Sequence, residues 1–328
     1  MIVQTELPTS GTMDTRALGA SGIVVSALGV GAWAWGDRGY WGYGKSYTIE
    51  DIKQAYKVSV DAGITLFDTA EIYGRGRSER LLGRCIRWDG RPVVVASKFA
   101  PLPYRLSPRS LLKALDASLE RLGMDHIDLY QVHWPYTLLS IDDLMEMMAQ
   151  ALKSGKIRAV GVSNYSAGQM LQAQRVLARH GVPLASNQVQ YSLLHRAPEV
   201  NHVLDTCRRL NVALIAYSPL AQGVLTGKYT GEDAGAVPLR RWRSGLMRQA
   251  QRPQTRQLVA TLKQIAEARG KTPGQVAINW LICKDTLVIP IPGAKTANQA
   301  RQNAGALGWR LETEEVRRLD EASLHWRR

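Results

Sequence analysis

Eight times between Ser26 and Gly293 a short run of β-branched and apolar residues gives way to a longer stretch whose apolar positions recur every three or four residues. A strand that returns parallel to its predecessor needs a long crossover, so this alternation specifies successive βα units and a parallel sheet. The strand candidates are "SALGVGA", "ITLFD", "VVVASK", "IDLYQVH", "IRAVGVSN", "LASNQVQ", "VALIAYS" and "LVIPIPG". Between them lie helix candidates such as "SERLLGRCIR", "PRSLLKALDASLERLG", "DDLMEMMAQALKSG", "AGQMLQAQRVLARHG", "PEVNHVLDTCRRLN" and "PGQVAINWLICK", several ending on Gly or Asn as a C-cap requires. Leu111, Leu112, Leu115, Leu119 and Leu122 form a core-facing stripe on one of them.

With no linker, low-complexity tract or break in composition, the expected architecture is α/β, a single (β/α)8 TIM barrel domain over residues 1–328. A doubly wound open sheet is the alternative. Before the first unit, "DTRALGASGIVVSALG" sets Gly19 and Gly22 between β-prone pieces and predicts an N-terminal β-hairpin that plugs the bottom of the barrel. Residues 1–12 read as a flexible tail, and "LETEEVRRLDEASLHWRR" as a C-terminal helix. The stretch from Leu220 to Pro253 is too long for a structureless connector and reads as a functional loop or lid.

Cys85, Cys207 and Cys283 are far apart and show no C-x-x-C or other ligand spacing, which argues against a disulfide framework or a structural zinc site. The segment "MIVQTELPTSGTMD" carries acids and no apolar core, and no run approaches about 18 uninterrupted apolar residues, so neither a signal peptide nor a membrane span is expected and the reading is cytoplasmic. The formal charge of +14 admits nucleic acid, acidic membranes or phosphorylated small molecules as partners. Its densest patch, with Arg240, Arg241, Arg243, Arg248, Arg252 and Arg256, comes with no helix-turn-helix, zinc-finger or RNA-binding signature, so a local role is expected and no nucleic-acid partner.

"GYWGYGKS", Gly39 to Ser46, fits the phosphate-binding pattern G-x-x-x-x-G-K-[ST], but its context does not. The nearest strand-like run ends several residues earlier, and the next helix begins after Thr48, an N-cap with Asp51 three residues on, which leaves Lys45 in the loop. The segment is better read as an aromatic loop.

Strands buried on both faces should be apolar throughout. Here Asp68, Lys98, His133, Ser163, Asn164, Tyr217 and Ser218 sit at the C-terminal ends of their strands, and Gln188 within its own. In a parallel barrel those ends share one rim, where active sites of this architecture are built.

"FDTAEIYG" with "SERLLG" behind it, then "SKF", "HWP", "GVSN", "NQVQYS", "YSPLAQGVLTGKY" and "IPGAKTANQARQN", occur in an order that resembles the aldo-keto reductases over essentially the whole chain, and more distantly the potassium-channel β subunits. The resemblance implies NADPH-dependent reduction of aldehydes and ketones, with NADH a weaker possibility and no metal, and a catalytic group on Asp68, Tyr73, Lys98 and His133. Tyr73 would give the proton, Lys98 would lower the phenol's pKa from about 10, Asp68 would hold Lys98 cationic, and His133 would orient the carbonyl.

By the same resemblance the nicotinamide lies on Tyr217, near Trp33, Asp68 and Ser218, with Ser163, Asn164 and Gln188 bonding its carboxamide. Leu220, Gly223, Leu225 and Lys228 would fold over the pyrophosphate, joined by an arginine of the basic patch. Gly293, Lys295, Gln299, Gln302 and Asn303 would hold the adenosine end, Lys295 facing the 2′-phosphate; Thr296 and Gln299 form a T-x-x-Q capping box. Many relatives carry Arg where Gln299 stands, which loosens the implied preference for NADPH. Trp35, Tyr40, Trp41, Tyr43, Trp134 and Tyr136, with Trp33, are the candidate substrate walls. The partner is a small carbonyl compound, the chain is expected to be a monomer or loose homo-oligomer, and an NADPH-binding sensor with little turnover is the alternative function.

Overall fold

The antiparallel pair β1 (Thr15–Ala17) and β2 (Val24–Ser26) precedes eight strands that follow one another in a parallel sheet. These are β3 (Gly29–Gly31), β4 (Leu66–Asp68), β5 (Val94–Phe99), β6 (Ile127–Val132), β7 (Ile157–Ser163), β8 (Leu184–Gln190), β9 (Ala213–Tyr217) and β10 (Val288–Ile291). The computed structural model describes residues 14–135, 138–229 and 243–328. The sheet closes on itself: the Gly31 amide donates to the Pro292 carbonyl at 3.1 Å, and Gly31 pairs in parallel with Gly293. Closure excludes the open doubly wound sheet, and the barrel stands as expected.

The helices α1 (Ile49–Asp61), α2 (Arg77–Asp89), α3 (Ser110–Leu122), α4 (Ile141–Lys153), α5 (Ala167–Ala178) and α6 (Val203–Leu210) each return the chain to the next strand. Beyond β9 come α7 (Arg243–Ala250), α8 (Pro253–Ala268) and α9 (Pro273–Lys284), and after β10 come α10 (Ala297–Ala304) and α11 (Thr313–Ala322). Helix α1 begins after Thr48, whose amide donates to the Asp51 carboxylate at 2.7 Å, and Lys45 lies in the preceding turn, outside any phosphate-binding helix start. "PEVNHVLDTCRRLN" does not form one helix. A 3₁₀ turn at Ala197–Glu199 is separated from α6 by His202, whose φ of +64° cannot continue a right-handed helix. The first strand is also shorter than "SALGVGA", covering three residues.

Alternation of side chains along each strand separates the barrel interior into layers. The lower layer is apolar: Leu66, Ala96, Leu129, Ala159, Ala185, Ala213 and Ile289 cluster with Leu18, Ile23 and Val25 of the hairpin, which closes that end. Two residues further along their strands, Asp68, Lys98 and Gln131 form the upper, polar layer, and Ser163 lies beyond it at the end of β7. Gly161 makes room between them, since a Cβ there would lie 2.4 Å from Ser186 Oγ and 2.8 Å from Gln131 Cγ.

The predicted 1–12 tail, Tyr136, Arg240, Arg241 and the middle of the 220–253 stretch lie outside the described residues. Among the described residues no helix is long and apolar enough to cross a membrane. The close packing at Gly161 gives a direct check: Gly161→Ala should lower stability by about 1–3 kcal/mol in urea unfolding, the usual cost of overpacking, and an unchanged midpoint would contradict it.

Candidate active site

Polar side chains two positions above the apolar layer have no water to solvate them, so they must solvate one another. Lys98 Nζ reaches Asp68 Oδ1 at 2.5 Å and donates also to the Thr69 carbonyl at 2.8 Å. The Lys98 side chain is fully buried and that of Asp68 nearly so, at 0% and 3% exposure. Asp68 Oδ2 accepts from Gln188 Nε2 at 2.7 Å and from Gln131 Nε2 at 3.2 Å, so both carboxylate oxygens are satisfied. Burial pulls Lys98 below the ordinary ammonium range, and the charge of Asp68 and its hydrogen bond oppose that pull.

Tyr73 comes from the turn after β4. Its amide donates to the Ala70 carbonyl at 3.0 Å, and the chain then passes through left-handed conformations at Gly74 and Arg75, with φ of +55° and +59°. Gly74 is pressed against the first rim loop, where an added Cβ would lie 2.9 Å from the Gly36 carbonyl oxygen. This turn sets the Tyr73 ring 5.1 Å from Lys98 Nζ and 5.7 Å from the His133 ring, edge to face. His133 follows β6 and stacks on Trp134 at 3.9 Å with an interplanar angle of 5°.

The charge states follow from burial. Desolvation, with the Asp68 carboxylate and Tyr217 adding to it, pushes the Tyr73 phenol well above its ordinary range, so it is protonated at neutral pH. The net shift is upward, with burial its largest cause, so the phenol does not fall below its ordinary value as the sequence reading expected from Lys98. Burial and then Lys98 drive His133 down to about 2, so the imidazole is neutral. Its Nδ1 is buried with no hydrogen-bond partner among the described residues. A proton on Nε2 leaves there an unpaired acceptor, which costs less than an unpaired donor, and makes Nε2 the donor.

A cavity of about 1120 Å³ opens over Asp68, Tyr73 and His133 and runs to the start of α10. One end holds a protonated phenol and a neutral imidazole above an ammonium–carboxylate pair, and the other holds Lys295 with Gln299, Gln302 and Asn303. Residues 27–324 match the model of the Aldo/keto reductase family.

The chain belongs to the aldo/keto reductase family.

It is accordingly an oxidoreductase. It is 43% identical over 91% of its length to the chloroplastic pyridoxal reductase of Arabidopsis thaliana, of which the match covers 83%. Its fold is similar to that of the glycerol dehydrogenase of Gluconobacter oxydans, with a TM-score of 0.81 at 28% identity, covering 96% of each chain. It is similar also to an aldo-keto reductase of Klebsiella pneumoniae in complex with NADPH, with a TM-score of 0.74 at 30% identity, covering 94% of this chain and 95% of that one.

Within this reductase barrel the remaining sequence-predicted residues fall as follows. Ser163, Asn164, Gln188, Tyr217 and Ser218 line the cavity with Asp68, Tyr73 and His133, and so do Leu220, Gly223, Lys228 and Gly293 further along. Ser163 Oγ donates to the Gln188 carbonyl at 2.8 Å, Asn164 Nδ2 to the His133 carbonyl at 3.1 Å, and the Tyr217 hydroxyl to Asn164 Oδ1 at 3.1 Å. Trp33, Trp41 and Trp134 supply the aromatic wall. Lys98 lies behind Asp68, out of the lining.

Five assignments need correction. Trp35 is fully buried, its Nε1 donating to the Ala294 carbonyl at 2.8 Å, and it faces the core instead of the substrate. Leu225 is buried beneath its loop, and Tyr43 packs partly buried against the core and edge-on to Tyr47. Tyr40 stacks on Trp33 from outside and donates to Gln222 across the mouth, bracing the wall without lining it. The T-x-x-Q box is half formed: Thr296 Oγ1 accepts from the Gln299 amide at 3.4 Å, whereas Gln299 Oε1 takes the Lys295 amide at 2.8 Å.

Gln131 and Asp37 belong to the site and were not singled out in the sequence. Gln131 was findable, because an uncharged amide midway along a doubly buried strand needs a polar partner. Asp37 carried no such signal.

Two measurements check this electrostatics. Lys98→Met leaves a buried carboxylate without its counter-charge and should cost about 3–5 kcal/mol in urea unfolding, whereas Asp68→Asn with Lys98→Met should be more stable than that single variant. Nitrogen-15 spectra of labelled histidine should keep the neutral signals of His133 between about pH 5 and 8; imidazolium appearing in that range would contradict the depressed pKa.

Proposed function

We propose that the protein reduces aldehydes and ketones to alcohols with NADPH, Tyr73 delivering the proton to the carbonyl oxygen. One observation carries the reading: Tyr73, His133, Lys98 and Asp68, from three strand ends and one turn, converge at one end of a cavity too large for a small carbonyl compound alone.

The lining fits a dinucleotide. A flat aromatic ring, Tyr217, lies among the amides and hydroxyl of Asn164, Gln188 and Ser163, which match a carboxamide's donors and acceptors. Gln188 Oε1 makes no hydrogen bond among the described residues and is open to such a group. The far end offers the ammonium groups of Lys228 and Lys295 and the N-terminus of α10, a surface suited to phosphates. Lys295 would meet the 2′-phosphate and so favour NADPH over NADH, and Asn303 and Gln302 would meet the adenine. When bound, the nicotinamide supplies the hydride.

The chain's own residues do the rest. His133 Nε2–H holds the carbonyl oxygen and steadies the negative charge that develops on it. Tyr73, protonated at neutral pH, gives that oxygen its proton. The phenolate left behind is raised in energy by burial, and the nearby Lys98 ammonium stabilises it at the moment it forms. Asp68 keeps Lys98 charged, and Gln131 and Gln188 keep Asp68 in place. The indoles of Trp33, Trp41 and Trp134 exclude water, which strengthens each of these interactions.

The test is NADPH oxidation with 4-nitrobenzaldehyde, methylglyoxal and pyridoxal. Tyr73→Phe should retain its NADPH dissociation constant and lose on the order of a hundredfold in kcat, the scale of lost acid catalysis. Full activity in that variant would overturn the role of Tyr73. Tight NADPH binding by the wild type without turnover of any aldehyde would assign the protein to cofactor sensing instead.

A further inference from the structure

Among the described residues that line the cavity, those that carry formal charge are Asp37, Asp68, Lys228 and Lys295. Asp68 is neutralised by Lys98. Lys228 and Lys295 stand at the end that the proposed function gives to the cofactor phosphates. Asp37 is left as the charge that neither the catalytic group nor the cofactor compensates.

Its position is fixed. Oδ1 accepts the backbone amides of Tyr40 at 2.6 Å and Trp41 at 2.8 Å, and the Asp37 carbonyl accepts from the Tyr43 amide at 2.8 Å. Oδ2 makes no hydrogen bond or ion pair among the described residues. The residue is packed against the turn that carries the acid, since a Cβ on Gly74, next to Tyr73, would lie 3.3 Å from the Asp37 amide nitrogen. Trp33, Trp41 and Trp134 line the same cavity, and the Trp41 amide is one of the two that the carboxylate holds. An indole face attracts cations through its quadrupole. The protein already uses one in this way, with Lys295 Nζ 5.2 Å from the Trp41 ring centroid.

We propose that Asp37 is a specificity-determining residue, and that the pocket selects carbonyl compounds bearing a positive charge, a quaternary or protonated nitrogen on a compact body, over those bearing a carboxylate or phosphate. The inference rests on the carbonyl-reducing reading of the site. A carboxylate with an open oxygen in a cavity walled by indoles attracts such a cation by charge, the indole faces adding cation–π contact, and repels an anion.

The experiment uses the full-length protein with NADPH and three aldehydes of similar size: 4-formyl-N,N,N-trimethylanilinium, benzaldehyde and 4-carboxybenzaldehyde. The ratio of kcat/KM for the cationic over the anionic aldehyde is measured in the wild type and in Asp37→Asn, which keeps an oxygen for the Tyr40 and Trp41 amides. Differences in intrinsic reactivity between the aldehydes cancel when the two ratios are compared. The expected result is a ratio about tenfold higher in the wild type, equivalent to about 1.4 kcal/mol of discrimination. Equal ratios in the two proteins would overturn the proposal while leaving the reductase reading intact. If none of the three aldehydes is turned over, the reductase reading fails and takes this inference with it.

A second variant covers the case in which Asp37→Asn does not fold: Asp37→Ser removes the charge and keeps a hydroxyl for the Tyr40 and Trp41 amides. Its ratio should fall about as far as that expected of Asp37→Asn, and a wild-type ratio in whichever variant folds would overturn the proposal.

Discussion

A lysine ammonium and an aspartate carboxylate 2.5 Å apart, both shut away from water, are the interaction on which the site depends. Neither charge is tolerable there alone, since desolvating an isolated ion costs more than most single contacts return. Together, with Gln131 and Gln188 on the second carboxylate oxygen, they form a fixed electrostatic floor. The phenol of Tyr73 and the imidazole of His133 are placed above it, both in their neutral forms. In the carbonyl-reducing reading proposed above, the buried ammonium 5.1 Å from the Tyr73 ring would stabilise the phenolate that proton transfer leaves.

The barrel makes such a floor possible. Period-two alternation sends every second residue inward, and the lower inward layer, sealed by the hairpin residues Leu18, Ile23 and Val25, is apolar enough to anchor the structure. The layer above can then carry charge and amide groups at no risk to the core. Gly161 illustrates the fit between the two requirements, since its missing side chain is the space that Gln131 and Ser186 occupy. The first rim loop adds to the floor from above: it presses Gly36 onto Gly74, beside Tyr73, and brings Asp37 and the tryptophans to the mouth.

Much of this was legible in the sequence. Asp68, Lys98 and His133 announced themselves as polar residues at the ends of strands that had to be buried, and the order of motifs around them pointed to the family that the match over residues 27–324 shows. The aromatic loop was less legible. Trp33, Trp35 and Trp41 look alike in sequence, yet Trp35 turns inward to a carbonyl 259 positions away and the other two face the cavity. Which way an aromatic in a loop points is set by the neighbours it finds, and those neighbours are distant in the chain. The same holds for Tyr40, whose partner Gln222 belongs to the loop after β9.

By itself the sequence determined the repeated βα pattern, the closed sheet that eight such units favour, and the identity of the groups at the strand ends, because hydrophobic period and residue chemistry are local properties. Tertiary structure alone decided the charge states and the pairings. The Tyr73 pKa rises because of how deeply the ring is buried, Gln131 acquires its role from an aspartate on another strand, and Asp37 is singled out only because the other charges lining the cavity have partners or an assigned ligand. Burial and distance between side chains are properties of the folded chain, and no reading of neighbours along the polypeptide contains them.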